Sequence, residues 1–289
     1  NSTNYSEVRV EDGAKLVATN ACSIWQPGVL SISNATVSLA AGIGINNQGV
    51  LRGQGWIERS NPTGGVTVVT NLNTLQVGMP IGTLTLENVN YIQEVGGTTE
   101  FEIGGTGPGE YDRLVVNGRM NLSGFMRVLL TNGYIPKQGD TFDLMDWTER
   151  DGIMYAYLPN ITPLRWVTRD LFENGEIWIA GSELGVKTLG STNIAAHSAL
   201  LKGRILGDGG VEHPGVWFCI GTSDGGTNDP ADWERMLYVG NGLGADKDFS
   251  LQADSLTPDT TYFFRCFASN SSGTAWSADP AMNFTTARL

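Results

Sequence analysis

The sequence has few charged residues, few histidines and few cysteines, and each shortage excludes a class of protein. Charged residues make up 17% of the 289 residues, whereas about a quarter is usual. Two histidines leave little material for histidine-based catalysis or for a zinc site. Three cysteines are too few for a disulfide scaffold, so the fold must be held together mainly by a packed core.

The sequence also lacks long apolar runs and an excess of positive charge. No apolar run approaches the about 18 residues that a membrane-spanning helix needs. Lysine and arginine number 18 against 30 acidic residues, which gives a net charge of −12. A chain this acidic has no electrostatic footprint for nucleic acid or for anionic lipid. We therefore expect neither a nucleic-acid partner nor membrane insertion.

Glycine is abundant, and short alternating runs of apolar and polar residues recur along the chain. Glycine accounts for 38 of 289 residues, against a usual share of about 7%. The runs lie between Gly and Asn turn signals, which predicts an all-β protein. The turns are compatible with β-hairpins, but a rhythm of about 20 residues also fits the rungs of a β-solenoid. Residues 29–57 favour the solenoid, because strand follows strand with only small residues between them.

Several motifs between residues 28 and 181 carry a family resemblance. They include Gly82-Thr83-Leu84-Thr85-Leu86, Gly96-Gly97-Thr98 and Gly139-Asp140-Thr141-Phe142. This part of the chain resembles the autotransporter-type β-solenoid repeat of bacterial surface and secreted proteins. The resemblance implies a short β-solenoid that closes, after Gly82, into a jelly-roll-like β layer. We expect this N-terminal domain to span residues 1–181.

A second module is expected over residues 182–289. The stretch around Leu256, Pro258, Tyr262 and Arg265 resembles the E–F corner and F strand of a fibronectin type III domain. Tyr262 occupies the position of a tyrosine corner, whose hydroxyl bonds back to the backbone. The resemblance also assigns strands B, C, E and G to residues 197–206, 215–226, 249–256 and 282–289. The overall prediction is an all-β chain with a C-terminal fibronectin type III-like β-sandwich.

The three cysteines allow alternative predictions. Cys219 and Cys266 fall on predicted strands C and F, and both are expected to face inward. They form a disulfide if their Cα atoms lie within about 6 Å of each other; otherwise they are two buried thiols that act as small apolar groups. Cys22 is either a core residue of the solenoid or the site of an intermolecular bridge.

No residue set predicts catalysis, a cofactor or a metal site. The acidic residues are scattered, and Glu100 and Glu102 lie two residues apart on one predicted strand. Their backbones are therefore about 7 Å apart, whereas a retaining glycosidase pair needs about 5–5.5 Å between carboxyl groups. Trp233 and Trp276 fall in predicted loops, so we expect them to be exposed aromatic contacts for a ligand such as a sugar.

These observations favour a structural role over a catalytic one. We expect a non-catalytic extracellular structural protein, secreted with its signal peptide removed, that assembles into a bacterial surface fibre, filament or surface layer. The alternative is a cell-surface adhesin or a carbohydrate-binding protein whose partner is a cell-surface polysaccharide. Assembly would use the open end of the solenoid in head-to-tail contact, or strand exchange with a neighbour. The expected assembly strand includes Tyr5, Val8, Val10 and Leu16.

Overall fold

The chain forms two compact units of β-structure. The computed structural model describes residues 6–61, 63–209, 213–241, 243–278 and 280–289. The first unit comprises Asn1–Pro136, Asp140–Asn160 and Thr168–Trp178, and the second comprises Lys137–Gly139, Ile161–Val167 and Ile179–Leu289. The all-β fold class is confirmed, while the domain boundary after residue 181 stays a prediction. In these described ranges, no helix is long and apolar enough to cross a membrane.

The first unit is built mainly from parallel strands. Its strands are β1 (Glu7–Glu11), β2 (Lys15–Ala18), β3 (Cys22–Ile24), β4 (Val29–Leu39), β5 (Ile45–Asn47), β6 (Val50–Arg59), β7 (Val68–Asn71), β8 (Thr74–Val77), β9 (Thr83–Glu87), β10 (Asn90–Gln93), β11 (Thr98–Ile103), β12 (Arg113–Leu122), β13 (Phe125–Leu130), β14 (Thr141–Asp143), β15 (Met145–Gly152) and β16 (Tyr155–Tyr157). All except β14 belong to one 15-stranded sheet. This sheet winds as a β-solenoid.

The solenoid has three faces, each a stack of parallel strands. The first face contains β1, the first half of β4, the first half of β6, β8, β11, β13 and β16. The second contains β2, the second halves of β4 and β6, β9, and the first halves of β12 and β15. The third contains β3, β5, β7, β10, and the second halves of β12 and β15. One strand from each face makes a rung, and β1, β2 and β3 form the first rung.

Parallel pairing places like side chains directly above one another, and the inward side chains form the core. Along the third face, Ile45, Val69, Tyr91 and Met120 are successive Cα partners, and all four are buried. Because strand side chains alternate between faces, each rung contributes every second residue to this interior. Fully burying one such aliphatic side chain stabilises the fold by about 1.5–3 kcal/mol.

Polar side chains form a second, buried stack inside the third face. Asn47, Asn71 and Gln93 are partners in successive rungs, and each is at most 1% exposed. The Asn47 Nδ2 donates to Asn71 Oδ1 at 2.8 Å, and the Asn71 Nδ2 donates to Gln93 Oε1 at 3.4 Å. The Gln93 Nε2 continues the chain by donating to the Ser123 carbonyl oxygen at 2.7 Å. We call these three residues the amide ladder.

The corner between the first and second faces depends on glycine. The register of β4 against β6 shifts between Ser33 and Ala35, where Asn34 has a φ of 49°. Opposite this point, Gly53 and Gly55 both have a φ of 126°. A Cβ atom on Gly53 would lie 1.7 Å from the Ile32 carbonyl oxygen. Only glycine fits this close approach of two backbones.

Parallel pairing continues past Gly82 to β16. The solenoid therefore does not end at that glycine. Within the first unit, β14 pairs in antiparallel fashion with the strand Glu176–Ala180 (β18), in the register Phe142↔Ile177. Phe142 is fully buried and meets the edges of Tyr111 and Tyr134, with ring centroids 5.6 Å and 6.1 Å apart.

The second unit is a β-sandwich of the fibronectin type III kind. The sandwich strands are β19 (Gly185–Thr192), β20 (Ser198–Gly207), β21 (Gly215–Gly221), β22 (Arg235–Gly240), β23 (Asp248–Asp254), β24 (Thr261–Asn270), β25 (Gly273–Trp276) and β26 (Met282–Thr285). The short strand β17 (Arg165–Val167) also falls in the second unit but belongs to neither sandwich sheet. One antiparallel sheet has the order β19-β20-β23, and the other has the order β22-β21-β24-β25, with β26 also pairing with β24. The expected strands B, C, E, F and G correspond to β20, β21, β23, β24 and β26.

The tyrosine corner predicted at Tyr262 is present. The Thr257 backbone N–H donates to the Tyr262 hydroxyl at 3.1 Å, and Tyr262 is 8% exposed. Its ring stacks on Phe284 with centroids 5.9 Å apart. This contact joins the turn before β24 to the sandwich core.

Both faces of β24 are covered. Phe264 and Cys266 face the main sandwich core. On the opposite face, Phe267 packs in a second cluster with Cys219 and Trp233, and Trp217 and Trp276 pack against that cluster. Aromatic side chains therefore shield the face of β24 that points away from the main core.

Candidate functional site at the open first rung

The first rung presents its inward-facing side chains to solvent. Val8 is the Cα partner of Leu30, Leu16 of Val37, and Cys22 of Ile45, and in each pair the second residue is at most 3% exposed. Val8 is nevertheless 55% exposed, and Leu16 and Cys22 are half-buried. These side chains point toward the interior like those of the core stacks, but among the described strands a rung covers them on one side only.

A cavity of about 560 Å³ lies at this open end. Its apolar lining includes Val8, Leu16, Cys22, Trp25 and Pro27. Trp25 is 64% exposed, a high value for a large aromatic side chain. Exposed, contiguous apolar surface of this kind marks interaction sites in soluble proteins.

The backbone of the first rung has a free edge. Among the strands in the described ranges, β1 and β2 pair only with β4, and β3 pairs only with β5. The other side of each strand offers N–H and C=O groups for a further strand. The end therefore combines an apolar centre with a hydrogen-bonding rim.

The charges beside this rim are already paired within the chain. Glu7 accepts hydrogen bonds from Ser31 at 2.5 Å and from Arg9 and Arg52 at 2.8 Å each. These bonds, that of Ser31 first, lower the pKa of Glu7 to about 2. Lys15 pairs with Glu58 at 2.7 Å. Paired charges reduce the electrostatic repulsion that an incoming subunit would meet at this end.

The structure places the predicted assembly residues in two groups. Val8 and Val10 lie on β1 and Leu16 lies on β2, all facing the interior of the first rung. Val10 is 5% exposed and belongs to the core, so Val8 and Leu16 are the accessible pair. Tyr5 lies outside the described residues.

Of the two alternatives for Cys219 and Cys266, the structure has the two buried, free thiols and not the disulfide. In the β21–β24 register, Cys266 is the partner of Phe218, and Cys219 is the partner of Arg265. Directly opposed residues share a face of a sheet, so the two thiols point to opposite faces. Burial raises the pKa of Cys219 to about 12 and also raises that of Cys266. Both act as small apolar groups.

The expectation of exposed tryptophans is wrong for Trp233 and holds only in part for Trp276. Trp233 is 5% exposed, and its Nε1 donates to the Gly226 carbonyl oxygen at 3.1 Å. Trp276 is half-buried and lies against Phe267 with ring centroids 4.7 Å apart. The loop that carries Trp233 folds back over the sheet, so neither ring offers a free platform.

Sequence reasoning missed Trp25 and Pro27 at the open end. Trp25 follows β3 directly and precedes the long strand β4. Its position at the end of the first rung was the available signal, since an end rung lacks one neighbour. Within the described ranges, no three His, Cys, Asp or Glu side chains cluster as metal ligands.

Comparisons with known proteins give limited information. No family model matches the chain, and no curated protein matches it. One similar solved structure is the sensor domain of the anti-sigma factor RsgI4 of Pseudobacteroides cellulosolvens, with 17% identity, a TM-score of 0.27 and coverage of 37% of this chain and 98% of that chain.

Two further solved structures are similar at the same level. A computer-redesigned β-sandwich protein has 24% identity and a TM-score of 0.26, with coverage of 36% of this chain and 96% of that chain. A human fibronectin type III domain from the KIAA0970 protein has 17% identity and a TM-score of 0.25, with coverage of 37% and 76%. Such TM-scores are too low to support a functional argument. These similarities give no support to the autotransporter-type resemblance, which stays a prediction.

Proposed function

We propose that this chain is a non-catalytic extracellular structural protein that assembles with copies of itself through the open first rung. The observation that supports this proposal is the apolar cavity between Val8, Leu16 and Cys22, bordered by free strand edges. A second copy stacked on this end would bury the exposed valine and leucine and would continue the hydrogen-bonding pattern. Because the contact joins an end to a neighbouring subunit, repetition can produce a fibre or a layer.

The same proposal includes a place outside the cell and a bacterial surface role. It rests on the β-solenoid and β-sandwich architecture, the scattered acidic residues and the resemblance noted in the sequence. Secretion with removal of a signal peptide is part of it. Glycine-rich rungs with paired rim charges provide a stiff element that needs no cofactor.

Two valines on neighbouring strands allow a matched test. Val8 is 55% exposed and lines the cavity. Val17 on β2 is 58% exposed and points to the opposite side of the strand from its neighbour Leu16, away from the cavity. Val8→Lys would place a charge in the apolar contact and should raise the protein concentration needed for assembly about tenfold or more. Val17→Lys should leave it near the wild-type value. Sedimentation velocity and negative-stain microscopy measure both.

Two outcomes would overturn the proposal. One is a wild-type protein that remains monomeric over the whole accessible concentration range. The other is an equal loss of assembly in the Val8→Lys and Val17→Lys variants, which would place the contact away from the cavity. Thermal unfolding of each variant checks that the solenoid itself remains folded.

A further inference from the structure

Three aromatic rings form a group on the outer surface of the first face, near its last strand. Tyr155 and Tyr157 lie on β16, and Phe125 lies on β13 as the Cα partner of Tyr155. Tyr155 is 75% exposed and Tyr157 is 59% exposed, while Phe125 is half-buried. We call these three residues the aromatic platform.

The ring of Phe125 contacts both tyrosine rings of the aromatic platform. Phe125 and Tyr157 are stacked, with ring centroids 5.4 Å apart and an interplanar angle of 29°. Phe125 and Tyr155 are tilted, with centroids 6.2 Å apart and an angle of 36°. Phe125 thus packs against both exposed tyrosines. Among the described strands, β16 pairs only with β13, so the far side of both tyrosines carries no further strand.

A column of hydrogen-bonding side chains leads away from the platform along the same face. Gln76, Glu100, Arg127 and Tyr157 are successive Cα partners in adjacent rungs. Neighbouring strands are about 4.8 Å apart, so the column offers one polar group per rung. Gln76 Nε2 donates to Glu100 Oε2 at 2.8 Å, and Arg127 pairs with Glu100 Oε1 at 2.6 Å.

The charges within this column are balanced. Glu100 and Arg127 neutralise each other, and Gln76 is uncharged. An acidic polymer would have to compete with Glu100 for the Arg127 guanidinium. A polymer without charge can instead accept hydrogen bonds from Arg127 and from Gln76 while their existing contacts remain. The surface therefore suits a neutral, hydroxyl-rich ligand.

We propose that the aromatic platform and Arg127 bind an uncharged polysaccharide chain that lies along the first face. The C–H faces of pyranose rings are apolar and stack on flat aromatic side chains, while the ring hydroxyls need hydrogen-bonding partners at the edge. The aromatic platform supplies the flat apolar surface for the sugar faces. The column from Arg127 to Gln76 supplies hydrogen-bonding partners for the hydroxyl groups. Successive sugar units can follow successive rungs, since both repeat along one axis.

Affinity electrophoresis tests this site directly. The full chain is run in gels that contain hydroxyethyl cellulose, galactomannan or dextran as neutral probes, or polygalacturonate as an acidic probe. We expect retardation by at least one neutral probe. Tyr157→Ala and Tyr155→Ala should each weaken that binding about tenfold, whereas Tyr157→Phe should retain it because the ring remains.

Tyr238→Ala is the matched control, because Tyr238 is also exposed, at 52%, and its ring also contacts another aromatic ring, that of Trp217 at 5.1 Å. It should leave binding unchanged. The proposal is overturned by the absence of retardation with all three neutral probes, by retardation with polygalacturonate alone, or by tyrosine-to-alanine variants at 155 and 157 that bind like the wild type. Val8→Lys should not affect binding, so this result is separable from the assembly test.

Discussion

Replacing Asp224 with alanine should lower the free energy of unfolding of the second unit by about 3 kcal/mol, because it removes the carboxylate partner of a buried arginine. Arg265 is 2% exposed, and its guanidinium makes two bonds to Asp224, one of 2.9 Å from Nη2 and one of 3.3 Å from Nε. A buried cation that loses its carboxylate must either remain poorly solvated or distort the cluster around it.

The matched control for this variant lies in the same loop. Asp229 is exposed, and its Oδ1 accepts a hydrogen bond from the Ala231 backbone N–H at 2.9 Å at the start of the 3-10 turn Pro230–Asp232. Asp229→Ala should remove only this cap, at about 1 kcal/mol. Urea unfolding followed by tryptophan fluorescence compares the two variants. Equal losses would show that the ion pair contributes no more than the cap.

The same pair predicts the direction of a pH effect. The bond from Arg265, the largest cause, lowers the pKa of Asp224 below its ordinary value. Its stabilising contribution is therefore fully present above the ordinary pKa of an aspartate, about 3.9, and is lost as the pH falls through the lower folded-state value. Unfolding midpoints of the wild type should fall more steeply in acid than those of Asp224→Asn. Parallel curves would contradict this assignment.

Asn71→Leu should destabilise the solenoid by about 3 kcal/mol, because it interrupts the amide ladder at its centre. Asn71 is fully buried and takes part in three hydrogen bonds, with Asn47, with Gln93 and with the Thr98 carbonyl oxygen at 3.1 Å. Leucine has a similar volume but cannot replace any of them. The loss comes from polar groups left without a partner, since packing volume is conserved.

Asn46→Leu is the control for the ladder. Asn46 precedes Asn47 on β5 but is exposed, and its side chain accepts only a long bond of 3.4 Å from Gln48. A surface change of this kind should alter the free energy of unfolding by no more than about 0.5 kcal/mol. Thermal unfolding followed by circular dichroism measures both variants. Similar melting temperatures for Asn71→Leu and the wild type would show that the ladder is dispensable.

Strand identity was predictable from the sequence, but register was not. Cys219 and Cys266 were correctly assigned to neighbouring strands. A shift of one residue in pairing moves every side chain to the opposite face. The sequence of β21 does not specify whether Cys219 or Phe218 opposes Cys266, because both faces of that strand are apolar. The choice between a disulfide and two buried thiols therefore needed the register.

Burial in loops was equally hard to predict. Trp233 was correctly placed in a loop, but its return over β24 was not predicted, because that depends on a bond to Gly226 and on packing against Phe267. The amide ladder was also missed, although Asn47, Asn71 and Gln93 lie 24 and 22 residues apart. That spacing, close to one rung, was the signal in the sequence.

The amide ladder and the open first rung lie at different depths of one stack, and this has a kinetic consequence. Each rung of a solenoid contacts only the rungs beside it. The strands of the first rung are therefore held from one side, whereas Asn71 and Tyr91 are held from both. Local opening should be frequent at Val8 and Leu16 and rare at β10, so backbone amides should exchange with solvent along a gradient that follows the solenoid axis. A second subunit stacked on the first rung would slow amide exchange there, because the strands of that rung would then be covered on both sides.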